Sequence, residues 1–448
     1  MRSRRRFLQC FAGALVASRG AAQKRGVIVR AARPENFETP LGLFSEWITP
    51  IEKFYVRSHH GVARVDPTTW KLEIAGEVSR PLALTMAELR QMPRAELVGV
   101  LECAGNGRAL HQPHMPGVQW EYGAVGNARW SGVRLRDVLE RAGLRPGARE
   151  ILFDGADTPP GTMPKFQRTV PRDKALDPNT LLAFEMNGQP LPVEHGFPLR
   201  LVAPGWAGDS WVKWLTRIQP LDHEFQGFFM TTAYRYPLRP VAPGTAVDPK
   251  EMKPVTALRV KSVIWSPRDG EPVPPGGGRV RGAAWSGESP VAGVEVSTDG
   301  GRNWRAAALG RDEARFAWRL WDFDWKPAGE GYHVIMARAR DASGEVQPLV
   351  AEWNPSGYLW NAAHQVGVSV STSRQRPAPT PLEKPAAPAP HVVKTACLPC
   401  HGTDIMEQQR LTPAQWEREI DKMIRWGAPV KPEDRPAILK YLLEISGQ

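Results

Sequence analysis

Between residues 255 and 372 apolar and polar positions alternate in short runs. The stretch "FAWRLWDFDW" ends with Trp321, Phe323 and Trp325 on every second position, one face of an extended strand. "GVEVSTDGGRNWRAAAL" and "YHVIMARARDASG" have the same character, and Asp299-Gly300-Gly301 supplies a hairpin turn between "VEVST" and "NWRAA". Short strands at this spacing predict an all-β Ig-like sandwich. Residues 40–245 instead mix strand patterns ("WKLEIAGEV", "AELVGVLEC", "FPLRLVAPG") with short helical ones ("TMAELRQM", "RLRDVLERAG"), which predicts an α+β domain. Past residue 390 the period becomes helical. Thr412 is placed to cap a helix opening at Pro413, with Trp416, Ile420, Met423 and Ile424 on one face and Gly427 at its end.

These changes of pattern divide the chain. The expected units are 1–22, an export signal; 35–250, the α+β domain; 251–372, the sandwich; 373–390, a linker; and 391–448, a small all-α domain. The linker rests on "RQRPAPTPLEKPAAPAP", Arg374–Pro390, whose Pro/Ala content makes it stiff and extended. A second junction is expected at Val247–Val255.

Composition adds two constraints. Apolar content of 42% with 17 Trp argues for a folded protein, while 43 Pro and 41 Gly favour turns over long helices. Of the net charge of +11, five come from Arg2, Arg4, Arg5, Arg6 and Arg19 in the leader, leaving a moderately basic body suited to an anion. No basic stripe interleaved with aromatics points to nucleic acid, and no apolar run reaches the ~20 residues of a membrane span. The leader itself, with Ser3-Arg4-Arg5-Arg6-Phe7-Leu8 before the apolar stretch Phe11–Ala17, resembles a twin-arginine signal, implying folded export to the periplasm.

Removal of the leader with Cys10 leaves three thiols, too few for a disulfide framework. Cys397-Leu-Pro-Cys400-His401 has the spacing for covalent attachment of one haem c: two thioethers to the porphyrin and an imidazole to its iron. A zinc site would need further ligands, and the tail's only other histidine is His391. A redox disulfide would need a thioredoxin-like context, which is missing. For the opposite axial position Met423 is preferred and Met406 comes second, although a Met on an apolar face also serves as plain core. The tail resembles small monohaem cytochromes c.

The third thiol, Cys103, follows an apolar strand and opens "CAGNGR". A lone cysteine there is ordinarily a small buried apolar residue, but as a thiolate it is a soft metal ligand. Gly105 and Gly107 permit a sharp turn and close approach of the backbone to a ligand.

Several motifs then occur in order: "FYVRSHH" (54–60), "WKLEIAGEVSRP" (70–81), "ECAGNGR" (102–108), "GAVGNARWSGVRLRDVL" (123–139), "EMNGQPLPVEHGFPLRLVAPGWAGDSWVKWL" (185–215) and "VEVSTDGGRNW" (294–304). Together they resemble the sulfite oxidase family of molybdenum enzymes across about 40–370. The resemblance implies a molybdopterin-binding α+β domain and an Ig-like dimerisation domain, hence a possible homodimer. It also implies molybdenum ligation by Cys103, and cofactor contacts from Arg57, His59, His195, Arg200, Trp211, Val212, Lys213 and an aspartate, Asp157 rather than Asp154. Arg57 and Arg108 match the family's anion-binding arginines, and Trp120 matches a tryptophan beside the pocket. Two positions depart from the pattern. Phe225 stands where the family has an active-site tyrosine, and Ser356 where it has an arginine, so a less polar pocket is expected unless Tyr122, Tyr234 or His223 compensates.

The expectation is an exported sulfite dehydrogenase passing electrons through its own haem to an external cytochrome c. Its rivals are a sulfane dehydrogenase acting on carrier-bound sulfur, a sulfoxide or oxyanion reductase, and an electron-transfer protein whose molybdenum body is structural.

Overall fold

A computed structural model describes residues 26–372 and 388–446; the expected leader and most of the linker lie outside them. Long apolar strands build the first domain. Val125–Arg134, buried on both faces, sits between Arg94–Glu102 and Leu181–Met186, with Gln189–Pro190 and Arg200–Val202 both pairing with the latter. A second five-stranded sheet runs Leu82–Leu84, Leu72–Ile74, Leu215–Leu221, Glu150–Gly155 and Gln167–Pro171. Both expected helices form here. Met86–Arg90 opens with a capping box between Thr85 and Glu88, and Leu135–Ala142 ends at left-handed Gly143.

The alternating segment forms two facing sheets. One orders Lys261–Ser266, Gly278–Trp285, Arg319–Trp325 and Ala308–Leu309; the other orders Pro272–Val273, His364–Val370, Gly331–Asp341, Val291–Ser297 and Arg305–Ala306. Trp321, Phe323 and Trp325 turn into the core between them, as the period of two requires. The Asp299 turn joins Val291–Ser297 to Arg305–Ala306, with its carboxylate accepting from the amides of Arg302 and Asn303. These bonds hold it down at about 2. At the expected junction, Met252–Pro254 is itself a strand, paired with Arg235–Pro237.

The two domains meet around a buried cluster. Glu102 takes an ion pair from Lys261, a hydrogen bond of 2.7 Å from Trp285 Nε1 and one of 2.9 Å from Asn106. Lys261 and Trp285 belong to the sandwich, so that domain supports the residue immediately before Cys103.

Residues 391–446 are helical: His391–Ala396, Asp404–Glu407, Pro413–Arg425 and Arg435–Ile445. Thr412 caps Pro413–Arg425 through a capping box with Gln415, and Gly427 beyond it has φ of 96°. Trp416 and Ile420 are buried as expected, but Ile424 is 37% exposed. This segment sits against the first domain. Asp404 accepts from the Ala32 amide at 2.7 Å, the Gly402 amide donates to Arg33 O, and the Arg33 guanidinium to Leu398 O. Gln408 accepts from the Gln119 amide at 2.8 Å, and Gln409 donates to Gly117 O at 2.8 Å. Trp426 meets Phe228 edge to face at 6.0 Å, with its carbonyl accepting from the Thr162 amide at 3.3 Å. No helix among the described residues is long and apolar enough to cross a membrane.

Candidate active site

Five separate segments meet at one cleft. Its walls include Tyr55, Arg57, Ser58 and His59 from the first motif and Cys103 from the turn after Arg94–Glu102. Asp157 and Phe166 enter from the loop after Glu150–Gly155, and His195, Arg200, Asp209, Trp211, Lys213 and Trp214 from the long motif. Tyr234 completes the wall.

The turn after Cys103 depends on its glycines. Gly107 has φ of 89°, and a Cβ there would stand 2.8 Å from the Trp360 side chain. At Gly105 a Cβ would lie 2.6 Å from Arg108 Nη2, so Gly105 makes room for the chain's own guanidinium. Arg108 is thereby folded back, donating to Val118 O and Ser356 O with its guanidinium 5.3 Å from the Tyr358 ring centroid. Burial pushes the Cys103 thiol up, and the charges of Arg57 and Arg108 pull it back toward the thiolate.

The cleft is rich in cations: Arg200 is buried, and Arg57 and Lys213 are half-buried. Among the described residues none of Arg57, Arg200 and Lys213 is in an ion pair with a protein carboxylate. Asp157 and Asp209, which could have paired with them, instead face His60 at 3.0 Å and Arg168 at 2.7 Å. Burial lowers Arg200 to about 10, and burial together with the Arg200 charge lowers Lys213 to about 7. Lys213 donates to Arg57 O and Glu194 O at 2.9 Å each, and Arg200 Nε has no partner. Buried unpaired cations are costly unless an anion joins them. These residues therefore fit a polyanionic group such as a pterin phosphate, with the Cys103 sulfur available to its metal.

His59 stacks on Phe166 at 4.1 Å, and its Nε2 lies 2.6 Å from the Tyr234 hydroxyl. Burial and the Arg57 charge hold this imidazole well below its usual range, so it is neutral. The tyrosine stays protonated, because burial raises it more than Arg57 lowers it.

Four expected site residues, Trp120, Val212, Phe225 and Arg108, are not on the cleft wall. Trp120 is fully buried in the core; its indole nitrogen has no partner. Val212 is buried and uses its carbonyl to accept from the Leu201 amide. Phe225 lies outside the wall, its amide donating to Glu150 at 3.0 Å. Arg108 acts from beside the cleft, through its charge and Tyr358. Of the three proposed compensators, exposed His223 pairs with Asp222, and Tyr122 packs against Trp360 and His364. Tyr234 alone of them lines the cleft, so the expected loss of a hydroxyl is corrected from a different position. Tyr55, Phe166, Asp209, Trp214 and Tyr358 were not singled out by the sequence reading. Tyr55 lies in the motif at 54–60, and Asp209 and Trp214 lie in the motif at 185–215, so these three carry a sequence signal that Phe166 and Tyr358 lack.

In the helical segment Cys400 is exposed and Cys397 half-buried, both as free thiols. Burial and the neighbouring Cys400 push Cys397 up to about 11, opposite to the lowered thiols of redox C-x-x-C sites. No cluster of three or more His, Cys, Asp or Glu suited to a metal occurs among the described residues. His401 Nδ1 faces Gly402 O at 3.0 Å, so Nε2 is the ring nitrogen an iron would take. Met406 is 5% exposed in the local core with Trp416 and Tyr441, whereas Met423 is half-buried on the helix that also bears Lys422, whose charge acts on His401. The thiols and imidazole fit a covalently held haem.

A cysteine beneath buried cations, in a β-rich α+β domain backed by a sandwich, defines a cofactor-dependent oxidoreductase with an anionic, metal-bearing group. Residues 59–229 match the oxidoreductase molybdopterin binding domain, and 252–371 the Mo-co oxidoreductase dimerisation domain. Sulfite oxidase of Gallus gallus is 38% identical over 357 residues, covering 76% of this chain and 77% of its own. Mitochondrial sulfite oxidase of Homo sapiens is 39% identical over 359 residues, covering 77% of this chain, which spans 66% of the human protein. Among solved structures, the sulfane dehydrogenase SoxCD from Paracoccus pantotrophus superposes with a TM-score of 0.65 at 29% identity, over 76% of this chain and 87% of that one. The chain belongs to the sulfite oxidase family of molybdopterin oxidoreductases.

Proposed function

We propose that the protein is an exported, periplasmic sulfite dehydrogenase that delivers electrons through its own C-terminal haem to an external cytochrome c. The observation that carries this reading is that Arg57, Arg200 and Lys213, gathered around Cys103, form no ion pair with a protein carboxylate, Asp157 and Asp209 facing His60 and Arg168 instead. A molybdenum–molybdopterin group bound there supplies oxygen-atom transfer, two electrons at a time. Cys103 would hold its metal, and His195, Arg200, Lys213 and Asp157 would hold the anionic pterin. Arg57 and Arg108 draw a small oxyanion toward the cleft. The Tyr234 hydroxyl, fixed by His59, is a hydrogen-bond donor for that anion. Each sulfite converted to sulfate takes one oxygen from water and releases two protons and two electrons. Cys397 and Cys400 would bear the haem, His401 and Met423 would ligate its iron, and the group would supply one-electron transfer. The dimerisation domain supports a homodimer.

A second reading is favoured by the SoxCD likeness: oxidation of sulfane sulfur carried on a partner protein. A reductase acting on a sulfoxide or oxyanion is a third reading; the Tyr234 hydroxyl on the cleft wall weighs against it, and a low-potential haem would favour it. The test is anaerobic addition of sulfite to oxidised protein of known molybdenum and haem content, following the haem α-band. Prompt reduction, lost in Cys103→Ser with haem retained, supports sulfite oxidation. No reduction in fully loaded protein overturns it, and a persulfide-bearing carrier is then the substrate to add.

A further inference from the structure

The seat between the C-terminal segment and the first domain holds a run of aromatic rings that the reaction itself does not use. Trp426 closes the helix that carries Met423, its amide donating to Met423 O at 3.1 Å. Its ring meets Phe228 at 6.0 Å, and Phe228 meets Phe229 at 5.1 Å. Phe229 then meets His59 at 5.2 Å and Phe166 at 4.9 Å, both on the wall of the cleft that holds Cys103. Each step is ordinary edge-to-face packing. Together they make an unbroken path of π-systems from the far domain to the cleft.

We propose that this seat is the working electron contact between the two halves of the chain, with Trp426, Phe228 and Phe229 as the route. The inference rests on the function proposed above, since it needs a two-electron molybdenum donor in the cleft and a one-electron haem acceptor on Cys397 and Cys400. Each crossing takes one electron from the donor and turns one ferric haem ferrous. No bond in the rings is made or broken, and no proton moves along them.

Two features favour a route over a chance apolar patch. The seat is fixed chiefly by polar bonds elsewhere: Asp404 to the Ala32 amide, Gln408 to the Gln119 amide, and Gln409 to Gly117 O. The rings are thus not needed as the sole anchor. The Phe228 side of the run also comes from Phe228–Thr231, the turn that leads directly to Tyr234 on the cleft wall. Trp426, Phe228 and Phe229 are placed as positioning residues that act through the groups at either end.

The experiment uses the full-length protein with both cofactors and two readouts. Hydrogen exchange at the Thr162 and Gly402 amides, which bond across the seat, reports docking whether or not the cofactors are loaded. Stopped-flow reduction of the haem after sulfite reports transfer. Trp426→Ala is expected to keep both amides protected and slow transfer at least tenfold, with Trp426→Phe restoring most of the rate. Protected amides with an unchanged rate in Trp426→Ala overturn the proposal. If Trp426→Ala opens the seat, Phe228→Leu takes its place, and an unchanged rate with the seat closed overturns the route equally. Failure of the parent reading looks different: wild-type haem is then not reduced by sulfite at all, while the seat amides stay protected.

Discussion

Lys213 should make the cofactor-free protein less stable and the loaded protein possible. Its ammonium is buried, bonded to two carbonyls, and held down to about 7 by burial and by the Arg200 charge. The gap from an ordinary lysine near 10.5 corresponds to roughly 5 kcal/mol as an upper bound, which relaxation and water entry reduce to about 3 kcal/mol. The sign follows from proton counting. The folded value lies below the unfolded one, so between about 7 and 10.5 the unfolded chain binds more protons and stability rises with pH. Below that window the penalty is complete and constant.

Lys213→Met removes the penalty but leaves two carbonyls without donors, at about 1 kcal/mol each. At pH 10 about 1 kcal/mol of the penalty remains, so the cofactor-free variant should be about 1 kcal/mol less stable than wild type there and about 1 kcal/mol more stable at pH 6. For a domain of this size that swing moves the unfolding midpoint by about 4 °C or more. The assay is thermal unfolding of both proteins across that pH range, prepared from cells that cannot make the pterin. Molybdenum content of protein made in competent cells supplies the second half, and it should fall about tenfold or more with loss of a charge-assisted bond to the anion. Parallel stability curves with constant separation would refute the argument, since Lys213 would then not be a desolvated cation.

Two further outcomes follow from buried groups nearby. Lys261→Met strands the Glu102 carboxylate next to Cys103 and should cost about 3–5 kcal/mol, much of it recovered when Glu102→Gln is added; an additive pair in urea unfolding would show that the two do not interact. Tyr234→Phe removes the hydroxyl beside His59 and should lower kcat/KM for sulfite by about tenfold to a hundredfold, with haem reduction by dithionite unchanged; an activity within twofold of wild type would make the hydroxyl structural.

The difference between Phe225 and Tyr234 shows where sequence reasoning stops. Arg57, His59, Cys103, Asp157, His195, Arg200, Trp211 and Lys213 were legible because each lies in a short motif, and strand order carries those motifs to one cleft. The alternating runs and the Thr412 cap were legible because period and capping are local chemistry. Tyr234 depends on something else. It reaches the cleft from a left-handed backbone with φ of 55°, as Trp214 does with φ of 51°. Glycine and asparagine announce that conformation in a sequence; tyrosine and tryptophan do not. Such strain is held only by surrounding structure, here the Tyr358 ring stacked at 5.2 Å, the His59 hydrogen bond and the Val255 amide donating to Tyr234 O. Motif comparison pairs a family tyrosine with Phe225 and so implies a less polar pocket unless Tyr122, Tyr234 or His223 compensates. The folded chain returns the hydroxyl nine residues later, by a turn whose cost is met by packing between both domains. The pocket's polarity is therefore a property of the fold around Tyr234, and a substitution at Tyr358, outside every catalytic motif, should disturb it.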